Sequence, residues 1–194
     1  MREFLERLNN LKRMPRSGWL FCDVPLSEVE DVAQHSFEVS AITLLLIDEL
    51  GRSGVKLNSE RAISMAIIHD WAEASVTDFP YTALKYLGSK DLKDRMEQRA
   101  LEDNLRKMPS GGRYLKLWEE YSEKRTPEAK LVHAADYISM LVQAIKYKEC
   151  GNTSKELCEL WQAVHEDLKP YMTELKPVKD LVKEFDKRYS AISS

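Results

Sequence analysis

Glycine is scarce in this chain, at 7 of 194 residues, about half the usual ~7%, which tilts the expectation toward helices. No stretch approaches the ~18 uninterrupted apolar residues of a membrane span. The N-terminal MREFLERLNNLKR carries charges throughout and no apolar signal region, so a cytoplasmic protein is expected and export is not. The three cysteines, Cys22, Cys150 and Cys158, are odd in number and lack CxxC spacing. That excludes a disulfide frame and a thiolate zinc site, and reads as reduced thiols. Neither charge sign dominates: 29 basic and 32 acidic side chains leave −3, with a pI near 5.9. A surface coating a nucleic-acid polymer is therefore not expected. A small phosphate-bearing ligand stays open, because local charge matters more than net charge at that scale. Histidine occurs only four times.

Apolar residues make up 43% and charged residues 31%, which suits a globule with a real core. At ~150 residues per domain, the chain reads as one domain, 1–194. Helical punctuation recurs throughout. Phe4, Leu5, Leu8 and Leu11 mark an amphipathic helix closed by Pro15, and the loop MPRSGWLFCDVPL follows. Ser27 and Glu30 form a capping-box pattern opening a helix that ends at Gly51. Asn58 or Ser59 caps the next, running to about Ala74, and Val76–Gly88 reads mostly as loop. Ser89–Met108 is a charged helix with a solvated face, stopped by Pro109 and the Gly111-Gly112 pair. A shorter helix covers Tyr114–Glu123. Thr126-Pro127 signals a helix start, with Gly151 as its stop. Ser154–Leu168 and Val178–Ile192 complete the chain. No segment of useful length has the strand period, so the expected fold is all-α.

Some helices carry residues that do not belong on their apolar faces. His35 sits in step with Val32 and Val39, and His69 continues the stripe of Ala62, Met65 and Ala66. Asp70 follows His69 directly, and Glu73 lies one turn on. Either histidine alone reads as a hydrogen-bonded core residue. The later stretch LVHAADYISMLVQAI is apolar nearly all round, and Asp136 is its one formally charged side chain. A buried unpaired carboxylate costs several kcal/mol, so it requires a cation, a metal or a proton. Together His35, His69, Asp70 and Asp136 place two imidazoles and two carboxylates on buried helices. That set suits Mn²⁺, Fe²⁺, Co²⁺, Ni²⁺ or Zn²⁺, and six-coordination leaves two positions for water and substrate.

The order H…HD…D resembles the signature of HD-domain metal-dependent phosphohydrolases. PRSGW (Pro15–Trp19), VAQHS (Val32–Ser36), HDWAEASVTDFP (His69–Pro80) and HAADYISMLVQA (His133–Ala144) are similar to the 5′-deoxynucleotidase, YfbR-like, branch. The likeness spans about Leu5–Tyr147, with the helices of 154–192 expected to pack on that core. The resemblance implies a helical bundle around a buried metal site and one divalent ion, Co²⁺ or Mn²⁺ first, with Zn²⁺, Ni²⁺, Fe²⁺ or Mg²⁺ compatible. It implies a homodimer that removes the 5′-phosphate from deoxyribonucleoside monophosphates. It makes His35, His69, Asp70 and Asp136 the metal ligands and Glu73 the acid/base residue. Asp78 becomes an active-site carboxylate that contacts the sugar or assists proton transfer. Arg16 holds the phosphate, and Trp19 lines the nucleotide pocket.

The chemistry agrees, since a phosphomonoester dianion needs a nucleophile and charge neutralisation, which a divalent metal provides. Arg16 adds a fork of donors matched to phosphate. Two positions depart from the pattern. Gln34 stands where relatives commonly carry an acidic residue. His133 stands where they often carry lysine, and replaces a phosphate contact only when protonated; it reads equally as a packing histidine or one that supports a ligand from behind. Trp19 reads equally as a core anchor for its loop, and Asp78 as a cap for the turn before Pro80. His165, on a polar helix surface, reads as structural or solvent-facing. Two alternatives accompany the main expectation. One is another HD activity on cyclic nucleotides or nucleoside triphosphates, although the GYP extension of cyclic-di-GMP phosphodiesterases is missing. The other is a non-catalytic helical module that binds metal or nucleotide.

Overall fold

Local capping chemistry decides where most of the helices begin. The computed structural model describes residues 1–84, 86 and 90–192. Its α-helices are α1 Arg2–Leu8, α2 Val32–Arg52, α3 Ser59–Ile68, α4 Glu73–Val76 and α5 Tyr81–Leu84, then α6 Lys90–Leu105, α7 Gly111–Glu123, α8 Pro127–Glu149, α9 Lys155–Glu174 and α10 Lys176–Ala191. Two 3-10 turns, Asn9–Arg13 and Ser17–Cys22, lie in the segment before α2. Among the described residues there is no strand, only an isolated antiparallel bridge between Pro15 and Asp31. Among the described residues no helix is long and apolar enough to cross a membrane.

Asn58, Thr126 and Ser154 cap α3, α8 and α9, each accepting a backbone N–H three residues on, as their side chains favour. The chain reverses in the left-handed region at Gly151, φ 96°, just beyond α8. α8 is apolar nearly all round because it is central: it packs against α2, α3, α7, α9 and α10. Leu131, Val132, Ile138 and Leu141 are completely buried. Truncating one of its leucines or Ile138 to alanine costs roughly 2–5 kcal/mol.

Several ends differ from the sequence expectation, each for a physical reason. α2 begins at Val32 instead of near Ser27, because residues 14–16 pair with 30–32. Arg16 N–H donates to Glu30 C=O at 2.9 Å and Val32 N–H to Met14 C=O at 2.9 Å. Extended backbone there postpones the helix, and the capping box is made by Asp31 and Gln34. α3 stops at Ile68 instead of Ala74. The His69 carbonyl is taken by the Trp118 indole N–H at 3.1 Å, and Glu73 N–H turns to Asp70 C=O at 3.0 Å. α7 absorbs both glycines into its first turn. A Cβ on Gly111 would lie 2.4 Å from the Leu105 carbonyl oxygen, so this approach requires glycine. α9 runs past the expected stop at Leu168 and carries Pro170 inside it, where Leu168 and Tyr171 are buried in the core. The expected start of α6 at Ser89 lies outside the described residues. Its expected solvated face holds only in part, since Leu101 and Leu105 are buried.

Candidate active site

Four polar atoms converge where α2, the end of α3 and α8 meet. Ligand atoms of His35, His69 and Asp136 lie within 4.8 Å of one another. His35 Nε2 is 3.1 Å from Asp136 Oδ1, and Asp70 Oδ2 lies 3.1 Å from His69 Nε2 and 3.7 Å from His35 Nε2. The turn after Ile68 is what carries Asp70 to the same point as its neighbour His69. Both rings are buried.

The tautomers are legible from the opposite ring nitrogens. His69 Nδ1 lies 2.8 Å from the Ala66 carbonyl, which can only accept, so Nδ1 holds the proton. His35 Nδ1 meets Ser139 Oγ at 3.1 Å. Each Nε2 then presents a lone pair to a carboxylate oxygen. His35 Nε2, His69 Nε2, Asp70 Oδ2 and Asp136 Oδ1 are all buried without a hydrogen-bond partner. Acceptors facing acceptors at 3.1 Å repel unless a cation sits among them. Ligand atoms ~2.1 Å from one ion at right angles stand ~3.0 Å apart, close to the observed spacing. The four residues therefore fit a divalent ion. Burial opposes charge on Asp70, yet the cationic groups around it, Arg16 among them, hold its pKa well below the carboxylate range.

Arg16 reaches this cluster through the Pro15–Asp31 bridge. Its Nη1 lies 3.3 Å from Asp78 Oδ1 and 3.7 Å from Asp70 Oδ2. Asp78 also accepts from Ser17 N–H at 2.6 Å and Ser17 Oγ at 2.9 Å. Asp78 is thus a clamp that fixes the Arg16–Ser17 segment beside the cluster. Thr77, just before it, has φ 67° and ψ 166°, a conformation that costs a β-branched residue about 1–3 kcal/mol and is held by its surroundings. Glu73 is buried, and its Oε2 has no partner. Burial first, then the charges of Asp70 and Asp78, push its pKa well above the ordinary value. A carboxyl raised in that way beside the cluster is suited to proton transfer.

Two expected substrate contacts lie elsewhere. Trp19 is 2% exposed. Its indole N–H donates to the buried Glu30 at 2.7 Å, and its ring meets Tyr147 edge-on. It anchors the loop carrying Arg16 instead of lining an open nucleotide pocket. His133 is buried, bonded through Nε2 to the Tyr121 carbonyl at 2.9 Å and stacked on the Tyr121 ring. Burial and then Lys124 lower its pKa to about 3, so it stays neutral and supplies no charge to a phosphate. Conversely, α6 delivers a cation that sequence reading left on a solvated face. Lys93 pairs with Glu97 at 3.0 Å, both largely buried, and its charge is felt at Glu73 and Asp70. Nothing in the periodicity of so charged a helix singles Lys93 out.

The profile of the HD domain family matches residues 8–176. A 5′-deoxynucleotidase HDDC2 of Danio rerio is 35% identical over 168 residues, covering 83% of this chain and 76% of the relative. The 5′-deoxynucleotidase hdd1 of Schizosaccharomyces pombe is 31% identical, covering 80% and 76%. Among solved structures, a conserved hypothetical protein from Pyrococcus furiosus superposes with a TM-score of 0.77 at 37% identity. That match covers 94% of this chain and 99% of the other.

Proposed function

The chain belongs to the HD domain family, and from that premise we propose that it is a metal-dependent 5′-deoxynucleotidase. It hydrolyses deoxyribonucleoside 5′-monophosphates to the deoxynucleoside and inorganic phosphate, as the names of its curated relatives indicate for them. The observation that carries the reading is the set of four buried, partnerless ligand atoms on His35, His69, Asp70 and Asp136, with Arg16 clamped beside them. A divalent ion held there acidifies water and polarises a phosphoryl oxygen. Among the metals, Co²⁺ and Mn²⁺ suit two imidazoles with two carboxylates.

The chain's own groups supply the rest. Arg16 offers planar donors to the phosphate and is kept charged, against burial, first by Asp78 and then by Asp70. Asp78 and Ser17 hold that arginine in place. Glu73 has a carboxyl oxygen without a hydrogen-bond partner close enough to feel Asp70 and Asp78, and it carries the proton toward the leaving 5′-oxygen. Three free cysteines support a cytoplasmic setting. The enzyme pairs as a homodimer through α2, whose outer face carries Phe37, Leu44 and Leu45, with Phe37 77% and Leu45 64% exposed.

Phosphate release across dNMPs and NMPs, with Mn²⁺, Co²⁺, Mg²⁺ and Zn²⁺, tests the activity. Turnover of dNMPs that stops on metal removal and returns with Mn²⁺ or Co²⁺ is expected. Equal hydrolysis of dAMP by stripped and loaded protein excludes this mechanism. Light scattering of Leu45→Asp tests the dimer, which is expected to dissociate to a monomer.

A further inference from the structure

His35 and His69 have their tautomers set by different means. A backbone carbonyl fixes His69 without ambiguity, since it can only accept. Behind His35 stands a serine, and a hydroxyl either donates or accepts. If Ser139 donated to Nδ1, the ring proton would move to Nε2 and its lone pair would no longer face Asp70 and Asp136. The structure removes that choice. Ser139 Oγ donates to Glu38 Oε2 at 2.7 Å, so its one proton is committed and its oxygen accepts from His35 Nδ1–H at 3.1 Å.

We infer that Ser139 and Glu38 act as positioning residues, a relay that holds His35 in the Nδ1–H tautomer and makes it competent as a metal ligand. This rests on His35 being a ligand of the proposed site. Both His35 and Ser139 are fully inaccessible to solvent, so water does not replace the missing partner. The placement is economical. Glu38 lies three residues after His35 on α2, and Ser139 three residues after Asp136 on α8, so each is one turn from a ligand on its own helix. The relay therefore ties together two of the helices on which the site is built. It also puts a carboxylate behind His35 by a route unrelated to Gln34, which is occupied in the capping box of α2. Partners of this kind fix ring orientation and raise ligand basicity, and their loss costs ~10–100-fold in metal affinity.

The full-length apo-protein is titrated with Co²⁺ by calorimetry, following the visible d–d absorption. Ser139→Ala, Glu38→Ala, the double variant and His35→Ala are compared with the parent. Each single relay variant is expected to bind Co²⁺ ~10–100-fold more weakly, with an altered d–d spectrum and unchanged helical circular dichroism. The double variant is expected to lose no more than the worse single, because the two groups act in series. Nitrogen-detected NMR of the apo-protein adds a readout independent of metal. The parent is expected to show His35 protonated at Nδ1, and Glu38→Ala a mixture of tautomers. Binding within twofold of the parent in both single variants, or losses that add in the double, overturns the relay. His35→Ala separates the two levels. If it loses Co²⁺ while the relay variants do not, only the relay fails. If it also binds like the parent, the ligand assignment falls.

Discussion

The crossing of α2, α3 and α8 and the C-terminal pair α9–α10 use similar residues for opposite ends. At the crossing, two histidines and two carboxylates turn buried, unpartnered atoms toward one another. In the C-terminal pair, His165 and Asp186 meet at 2.9 Å, part-exposed, on the edge of an aromatic cluster. There Trp161 stacks on Tyr189 at 3.8 Å, and Lys148 reaches both the Tyr189 ring and its carbonyl. The first arrangement leaves polar atoms facing one another and is stable only with something between them. The second is a single part-exposed pair beside stacked rings, so its worth is packing. A His–Asp pair thus says little by itself, since His165 Nε2 also lacks a hydrogen-bond partner; what marks the crossing is four such atoms brought together within a few ångströms.

The sharpest way to break the comparison is to mutate the crossing. Asp70→Asn is expected to abolish phosphate release and to lose the metal. Glu73→Ala is expected to lower kcat by ~10²–10⁴ while metal content, read by elemental analysis, stays at the parent's level. Equal metal loss in both would make Glu73 a ligand and blur the distinction between ligands and proton carrier. In the other region, Trp161→Ala is expected to cost about 3–5 kcal/mol of stability in urea titration, with kcat per folded molecule unchanged. A fall in kcat without a fall in stability would join the two regions functionally.

The smallest effect concerns His133, buried like the proposed ligands yet bonded to the Tyr121 carbonyl. Its folded pKa of about 3 lies below the ordinary 6.5, so the unfolded chain binds the extra proton between those values. The stability it allows is complete above about 6.5 and is lost as pH falls. His133→Gln removes that loss. The stability of the parent relative to the variant is therefore expected to drop by about 2 kcal/mol between pH 7 and pH 5, at ~1.4 kcal/mol per unit of pH. Denaturation curves at the two pH values measure it, and parallel curves would mean that His133 is protonated in the fold.

Much of this was legible in advance, and the misses have a common cause. Thr126-Pro127 and Gly151 bounded α8 to within a residue or two because caps and stops are local. His35, His69, Asp70 and Asp136 stood out because charge and imidazole on apolar faces break a local period. Ser27–Glu30 looked like a capping box, but Glu30 is buried against Trp19, and the backbone bridge to Pro15 moved the start to Asp31. Trp19, Lys93 and the run of α9 through Pro170 were each decided by what lies across the fold.

Helix content, the apolar faces and the four proposed ligand residues were legible in the sequence itself, since each follows from neighbours within about one turn. Only the tertiary structure decided which atoms those residues present. Ser139 and Glu38 are 101 positions apart, and Arg16 and Asp78 are 62 apart. Hydrogen-bond direction, and with it the tautomer of His35, depends on both partners. No periodicity within one segment encodes the group it will meet from another.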